Sequence, residues 1–338
     1  MLQLINQSVF APALTVLPDR DGVDTLFVVV RGSFALAAPS APAPAQPPPV
    51  AADVYWGTPG ASSLKYASDL HIGKRGTDVA LVGHAHAPRD RAVPEMLTAL
   101  TVARRRKVIR VVGDRVWRGG GATFTAPRPF TSMPLVYERA FGGRDPRVQA
   151  DGAGAELAEE RNPVGKGFRG GRSSRDATGE ALPNLEDPLR PLKTFGDRPV
   201  PVAFGFVAPA WQPRRAWAGR YDQAWKRDRA PFLPADFDLR FDNAASADLV
   251  FDDFLRGGEP LLLEGVSRSG PLLLSVPEAR PRVEVRIAGS TERPLPQLET
   301  VLIEPDEERL SLTWRAALRC DKRALKLQSV RIGTEKAR

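Results

Sequence analysis

The chain's three histidines, His71, His84 and His86, fall within sixteen positions. His84 and His86 lie two apart in GHAHAP, so on a strand both imidazoles face the same way, one route to a pair of metal ligands. Asp69 and Asp78 are the carboxylates at hand to complete such a site, which would suit a metal-dependent hydrolase. No third ligand stands at a telling spacing, however, so the sequence predicts no bound metal and no cofactor. Glu186-Asp187, Asp222 and Asp236–Asp238 offer paired acids near Trp211, Trp217, Tyr221 and Trp225, the ingredients of a glycosidase. Proximity along the chain does not set carboxylate separation in space, and aromatics at this density are more often core. No GxSxG, HExxH, phosphate-binding loop or dinucleotide fingerprint is present. The expectation is a protein with no catalytic residues.

Composition narrows the class. Of 338 residues, 48 are Lys or Arg and 40 Asp or Glu, giving +8, and 39 of the 48 cations are arginine. The sharpest basic run, Arg104–Lys107, leads into Val108-Ile109 and Val111-Val112, so it reads as the entry to a strand and not as a nucleic-acid module. A single cysteine, Cys320, excludes an internal disulfide framework. No apolar run reaches the ~18 residues of a membrane span. The opening MLQLINQSVFAP lacks the basic and apolar regions of a signal peptide, so a cytoplasmic protein is expected.

The elements that must carry any site are mostly strands. With 32 prolines and 29 glycines, long helices are disfavoured. Leu26–Val30 is a short β-branched run typical of a buried strand, preceded by a strand near Leu14–Leu17 and a turn at Asp19–Gly22. Ala37–Val50 is low-complexity Ala/Pro and predicts an extended, solvated connection outside the core. Val102–Trp117 reads as paired strands, and Leu261–Leu263 with Leu272–Leu274 as a hairpin. Leu310, Leu312, Trp314, Ala316, Leu318 and Cys320 alternate with Ser311, Thr313, Arg315, Ala317 and Arg319, placing six apolar groups on one strand face. Val283, Val285 and Ile287 repeat the pattern. Residues 141–201 are loop-like by composition, which in a compact fold marks either a functional surface or order imposed by distant contacts. The predicted fold is mainly β, sandwich- or barrel-like, with long loop-rich connections and little helix. It is read as one domain over residues 1–338, with two possible β subdomains at about 1–200 and 201–338.

Several ordered motifs carry a family resemblance: GTDVALVGHAHAP (Gly76–Pro88), GDRVW (Gly113–Trp117), PFTSMPLVYERAFGG (Pro129–Gly143), NPVGKGF (Asn162–Phe168) and LPNLEDP (Leu182–Pro188). The long segment Gly205–Phe241 and LRGGEP (Leu255–Pro260) complete the series. Together they resemble an uncharacterised-domain family of Gram-negative bacteria often encoded beside type VI secretion spike genes. The resemblance implies an adaptor or chaperone that binds a toxic effector or its PAAR-type tip and loads it onto a VgrG-type spike, without chemistry of its own. A structural component of the secreted spike assembly, or the hydrolase using His84 and His86, are the rival readings. The family pattern commonly has a tyrosine where His86 stands, a departure that weakens the metal reading. Turns rich in Asn, Arg and Gly either brace one another or present a recognition surface. The residues expected to contact a protein partner are Arg139, Phe141, Asn162, Lys166, Asn184, Trp211, Tyr221 and Trp225.

Overall fold

The computed structural model describes residues 2–145, 157–170 and 177–334. The central sheet has five strands in the order Ala11–Pro18, Asp24–Ala35, Arg309–Arg319, Gln297–Glu304 and Asp78–Leu81. Its first and third strands come from opposite ends of the chain. The neighbours pair antiparallel except Asp78–Leu81, which runs parallel to Gln297–Glu304. A second five-stranded sheet orders Leu185–Glu186, Arg105–Val112, Glu95–Val102, Pro260–Glu264 and Leu272–Ser275. A four-stranded sheet combines Gln3–Asn6, Leu327–Thr334, Pro281–Ile287 and Ser290–Glu292. All three sheets are open. The fold is mainly β with loop-rich connections, and among the described residues the one α-helix is the short Gln223–Asp228. No helix among them is long and apolar enough to cross a membrane.

The register explains the core. Leu26, Val28, Val30 and Phe34 stand opposite Leu318, Ala316, Trp314 and Leu310, so one face of the central sheet is continuously apolar. Phe10 covers it, with its ring 5.7 Å from Phe34 and 5.6 Å from Trp314. Glycine is needed at Gly32, opposite Leu312, because a β-carbon there would stand 2.8 Å from the Phe10 ring. Cys320 is buried behind the end of this face, where desolvation raises its thiol pKa. Packing, not nucleophilic chemistry, is what its surroundings support.

The opposite face departs from what alternation alone suggests. Ser311, Thr313 and Arg315 are as buried as their apolar neighbours, and so are Arg31 and Ser33 beside them. The segment Ser68–Asp78 and the turn at Asp242–Ala244 cover them. Arg315 donates to Glu299 (2.7 Å), His71 (3.1 Å) and the Asp69 carbonyl. Lys74 donates to Asp78 and Thr300, each at 2.8 Å. Asp78 also accepts from the Asn243 side chain and the Ala244 amide. Asp69 and Asp78 are therefore spent in this polar layer and do not join His84 and His86.

Two further expectations are corrected. The Ala/Pro connection is extended, as its composition dictates, but it docks onto the fold. Where the Ala11–Pro18 strand runs out, the Gln46 amide takes its place: its oxygen accepts from Ser33 N–H and its nitrogen donates to Ser33 C=O, both at 2.8 Å. Asp69 and Val50 then bond reciprocally through Val50 N–H (2.8 Å) and Asp69 N–H (2.7 Å). The paired strands expected over Val102–Trp117 are Glu95–Val102 and Arg105–Val112, turning at Ala103-Arg104. Glu95 and Met96 lie beyond the apolar run that marked the pattern. The hairpin at Leu261–Leu274 and the alternation at Val283–Ile287 are as expected.

Asp242 is the member of this layer whose bonding is incomplete. Its Oδ2 is buried without a hydrogen-bond partner, 3.7 Å from His71 Nδ1. Burial pushes its carboxyl up to about 7, with Arg214 and Lys74 opposing. Burial, with Arg315 and Lys74, holds His71 well below its usual value. Between the ordinary carboxyl range and about 7, the folded protein therefore holds a proton that the unfolded chain releases, so this group's contribution falls as pH rises through that window. Asp242→Asn should match wild type near pH 4 and become progressively more stable than it toward pH 8. Urea midpoints across that range measure the difference; a pH-independent gap would contradict the assignment.

Candidate functional site

Three motifs far apart in sequence meet at one place. In YERAFGG, a single 3-10 turn at Tyr137–Arg139 leads into Phe141-Gly142, which pairs parallel with Lys166-Gly167 of NPVGKG. Asn162, fully buried, holds the two together by donating to the carbonyls of Tyr137 (2.8 Å) and Phe141 (2.9 Å). The approach is so close that a β-carbon at Gly142 would stand 2.1 Å from the Asn162 carbonyl oxygen, and one at Gly165 2.4 Å from its Nδ2. Phe141 points inward, into a small cluster with Trp117, Ala177, Leu182 and Leu192.

LPNLEDP supplies the third part. Asn184 is fully buried; its Nδ2 donates to the Val112 carbonyl (2.9 Å) and Asp114 Oδ1 (3.0 Å). Its Oδ1 accepts from Lys166 Nζ (2.9 Å) and Arg139 Nη1 (3.2 Å), while Arg139 also pairs with Asp114 at 3.1 Å. Two cations thus converge on one neutral amide oxygen. Burial lowers the Lys166 ammonium from its ordinary value, Arg139 adds to this, and Asp114 opposes it. The Asn184 hydrogen bond keeps Asp114 below its ordinary value against burial, with Lys166, Arg139 and Arg128 helping. Directly behind, Arg115 and Glu186 form a buried pair at 2.7 Å. Glu186 is therefore structural and has no glycosidase acid's freedom.

The remaining expected residues divide. Trp211 is buried, edge-on to Tyr137 at 5.5 Å, and so braces the first cluster from behind. Tyr221 and Trp225 lie elsewhere, on the short helix Gln223–Asp228 and its entry, with rings 4.8 Å apart. Asp222 caps that helix by accepting from Trp225 N–H (2.9 Å), and Trp225 Nε1 donates to the Phe232 carbonyl (2.8 Å). Tyr221 is 57% exposed.

His84 and His86 do face one way, on the strand His84–His86, and the residue they meet is Asp306. Its Oδ2 lies 2.8 Å from His84 Nδ1 and its Oδ1 2.9 Å from His86 Nε2. Burial tends to raise this carboxyl, but the two histidine hydrogen bonds outweigh it and keep it low. Gly83 makes the arrangement possible, since a β-carbon there would stand 3.2 Å from both Asp306 and Pro305. The three residues border an open cleft of about 590 Å³ that Ser132, Ser267, Arg268, Ser269 and Glu308 also line. Among the described residues, no group of three or more His, Cys, Asp and Glu side chains is placed to hold a metal ion. Sequence reasoning missed Asp306 because it lies 220 residues from His86 and no pattern around it points back to the histidines. Tyr137, buried against Trp211, was missed also; its place in the YERAFGG motif was the available signal.

Comparison with known proteins gives one match. A family model described as "Uncharacterized protein conserved in bacteria (DUF2169)" matches residues 21–315. No curated protein and no solved structure matches the chain.

Bracing and surface residues should separate on substitution. Asn162→Ala removes the side-chain donor to the Phe141 carbonyl and one of two donors to the Tyr137 carbonyl, which keeps the Ala140 N–H, and should cost roughly 1–3 kcal/mol. Exposed Tyr221→Ala should stay within about 0.5 kcal/mol of wild type. Urea denaturation of the two variants reads both; equal losses would overturn the division.

Proposed function

The chain belongs to the DUF2169 family of bacterial proteins, and for this member we propose the role of a non-catalytic adaptor that captures a protein partner. In the fuller form suggested by its sequence motifs, the partner is a type VI effector or PAAR-type tip, held until it docks on a VgrG-type spike. The observation that carries a protein-binding role is the Tyr221–Trp225 pair. Aromatic side chains fixed in orientation are the usual anchors of protein interfaces, because they bury large area at small entropic cost. This pair stands on a helix none of whose residues is buried and on its entry, yet Trp225 is held by the Asp222 cap and the Phe232 carbonyl, and Tyr221 packs its ring edge-on to it. The segment is tied to the body where Arg229 donates to the Arg20 carbonyl at 2.9 Å.

A second element supports the reading. Ala11–Pro18 is an edge strand of the central sheet, and its Val16 and Leu17 are exposed. An edge with apolar neighbours can accept a partner's strand through main-chain hydrogen bonds.

If the role is right, the protein co-purifies from cytosol with an effector or tip protein. Deleting its gene stops delivery of that effector while secretion of the tube protein continues. A Tyr221→Ala/Trp225→Ala variant should lose at least about tenfold in partner capture with little change in melting temperature. Intact effector delivery without the gene, with no partner retained, would end the adaptor reading. The hydrolase reading rests on the His84–Asp306–His86 cleft and separates by elemental analysis of untagged protein. The adaptor reading expects no stoichiometric metal; one equivalent of zinc, lost in His84→Ala/His86→Ala, would favour the hydrolase.

A further inference from the structure

We infer that Arg139 and Lys166 form a clamp for a side-chain carboxylate on an acidic segment of a protein partner; that a partner exists rests on the adaptor reading, but the clamp itself does not. The fold spends three motifs, a buried asparagine and two glycines whose β-carbons would collide with it on bringing these two cations to one amide oxygen. Like charges so placed repel, and Asn184, whose Nδ2 is already committed to Val112 and Asp114, answers them with one amide dipole and no net charge. Asp114 bonds only one of the two cations directly: its Oδ1 takes Arg139 and the Asn184 amide, it acts on Lys166 through space alone, and its side chain is 59% exposed. The Lys166 ammonium has three N–H donors and one acceptor among the hydrogen bonds described, Asn184 Oδ1. A second carboxylate beside Lys166 and the outer edge of Arg139 would complete an alternating arrangement of two cations and two anions.

The donors available also select the kind of carboxylate. Capture of a chain terminus typically uses a nest of free backbone N–H groups. Here the N–H groups of Gly143 and Gly165 both go to the Asn162 carbonyl, that of Lys166 to Ala140 and that of Phe168 to Gly142. With these main-chain donors taken, the donors that face a ligand are the Lys166 ammonium and the Arg139 guanidinium, which suits Asp or Glu within a segment. The chain's excess of 48 cations over 40 anions favours the same class of partner.

The test needs no cellular partner. A fluorescein-labelled hexaglutamate peptide with an amidated C-terminus is titrated with the full-length protein at low salt and followed by fluorescence polarisation. Lys166→Gln should weaken binding at least about fivefold and Arg139→Gln comparably, while Arg227→Gln, an exposed arginine paired with Asp228, should change it less than about twofold. Asp114→Asn should tighten binding, an effect that a purely bracing role for the cluster would not produce. If Arg139→Gln fails to fold, Lys166→Gln and Asp114→Asn decide the matter. Equal losses at Lys166 and Arg227, or no tightening in Asp114→Asn, overturn the clamp. So does a hexaglutamine peptide with a free C-terminus that binds as well as hexaglutamate, since the terminus would then be the ligand. A localised clamp with no partner in cells would defeat the adaptor reading alone; partner capture with no localised clamp would defeat this inference alone.

Discussion

The arrangement of this protein depends on a charged layer closed between the central sheet and the loops that cover it. Arg315–Glu299 and Lys74–Asp78 are pairs with almost no solvent access. Such pairs add little net stability, because desolvation cancels most of the attraction, but leaving one member unpaired costs about 3–5 kcal/mol. Their effect is therefore on placement. A slip of Ser68–Asp78 along the sheet would strand several charges at once. Asp78 extends the same constraint to the next segment through Asn243 and Ala244. From there Arg214, bonded to the carbonyls of Val207 (2.6 Å) and Phe241 (2.9 Å), fixes the start and end of the stretch that projects Tyr221 and Trp225. The exposed aromatic pair is thus positioned from the buried layer outward.

A second, more local constraint governs the Arg139–Lys166 cluster. Here the means is steric. Asn162 fits only because Gly142 and Gly165 leave room, and once fitted it has no freedom to rotate without releasing two carbonyls. Trp211 leans on Tyr137 from the other side, which connects this cluster to the segment that carries Tyr221. Five of the eight residues expected from sequence to touch a partner lie in this cluster, and the backing ones, Phe141, Asn162 and Asn184, are buried. They shape a surface; Arg139 and Lys166 present it.

What the sequence could reveal follows from which interactions leave a periodic trace. Pro281–Ile287 was legible because apolar packing repeats every two residues, whereas Asp24–Ala35 and the Leu261–Leu274 hairpin were legible as continuous apolar runs bounded by turn residues. The polar layer left no such trace. Ser311, Thr313 and Arg315 alternate with apolar residues as a solvent-facing set would, and only the loop that covers them makes the face interior. Asp306 was illegible for a different reason: its role comes from meeting His84 and His86 across a long sequence separation. The Ala/Pro connection is extended and largely exposed as its composition dictates, but composition describes a segment's own preference and so missed its docking on the Ser33 backbone through Gln46 and Ala43. The convergence of YERAFGG, NPVGKG and LPNLEDP could be suspected from turn chemistry alone, but their meeting point is set by Asn162, bonded to two backbone carbonyls, and by Asn184, bonded to the Val112 carbonyl and to side chains distant in sequence, none of which a local pattern records.

Rigidity connects these constraints to the proposed role. A binding surface built on loops normally loses affinity to the entropy of ordering those loops. Here the ordering is done by folding: the Trp225 indole is hydrogen-bonded to Phe232, the Gln223–Asp228 helix is capped, and Lys166 and Arg139 share one acceptor. Little conformational freedom is left to lose on contact, so even a small aromatic and carboxylate contact can be specific. An adaptor that must release its cargo needs that combination. In the proposed role, specificity would come from fixed geometry, and a contact confined to these side chains would keep the complex separable. A deep apolar groove would hold the same cargo too long.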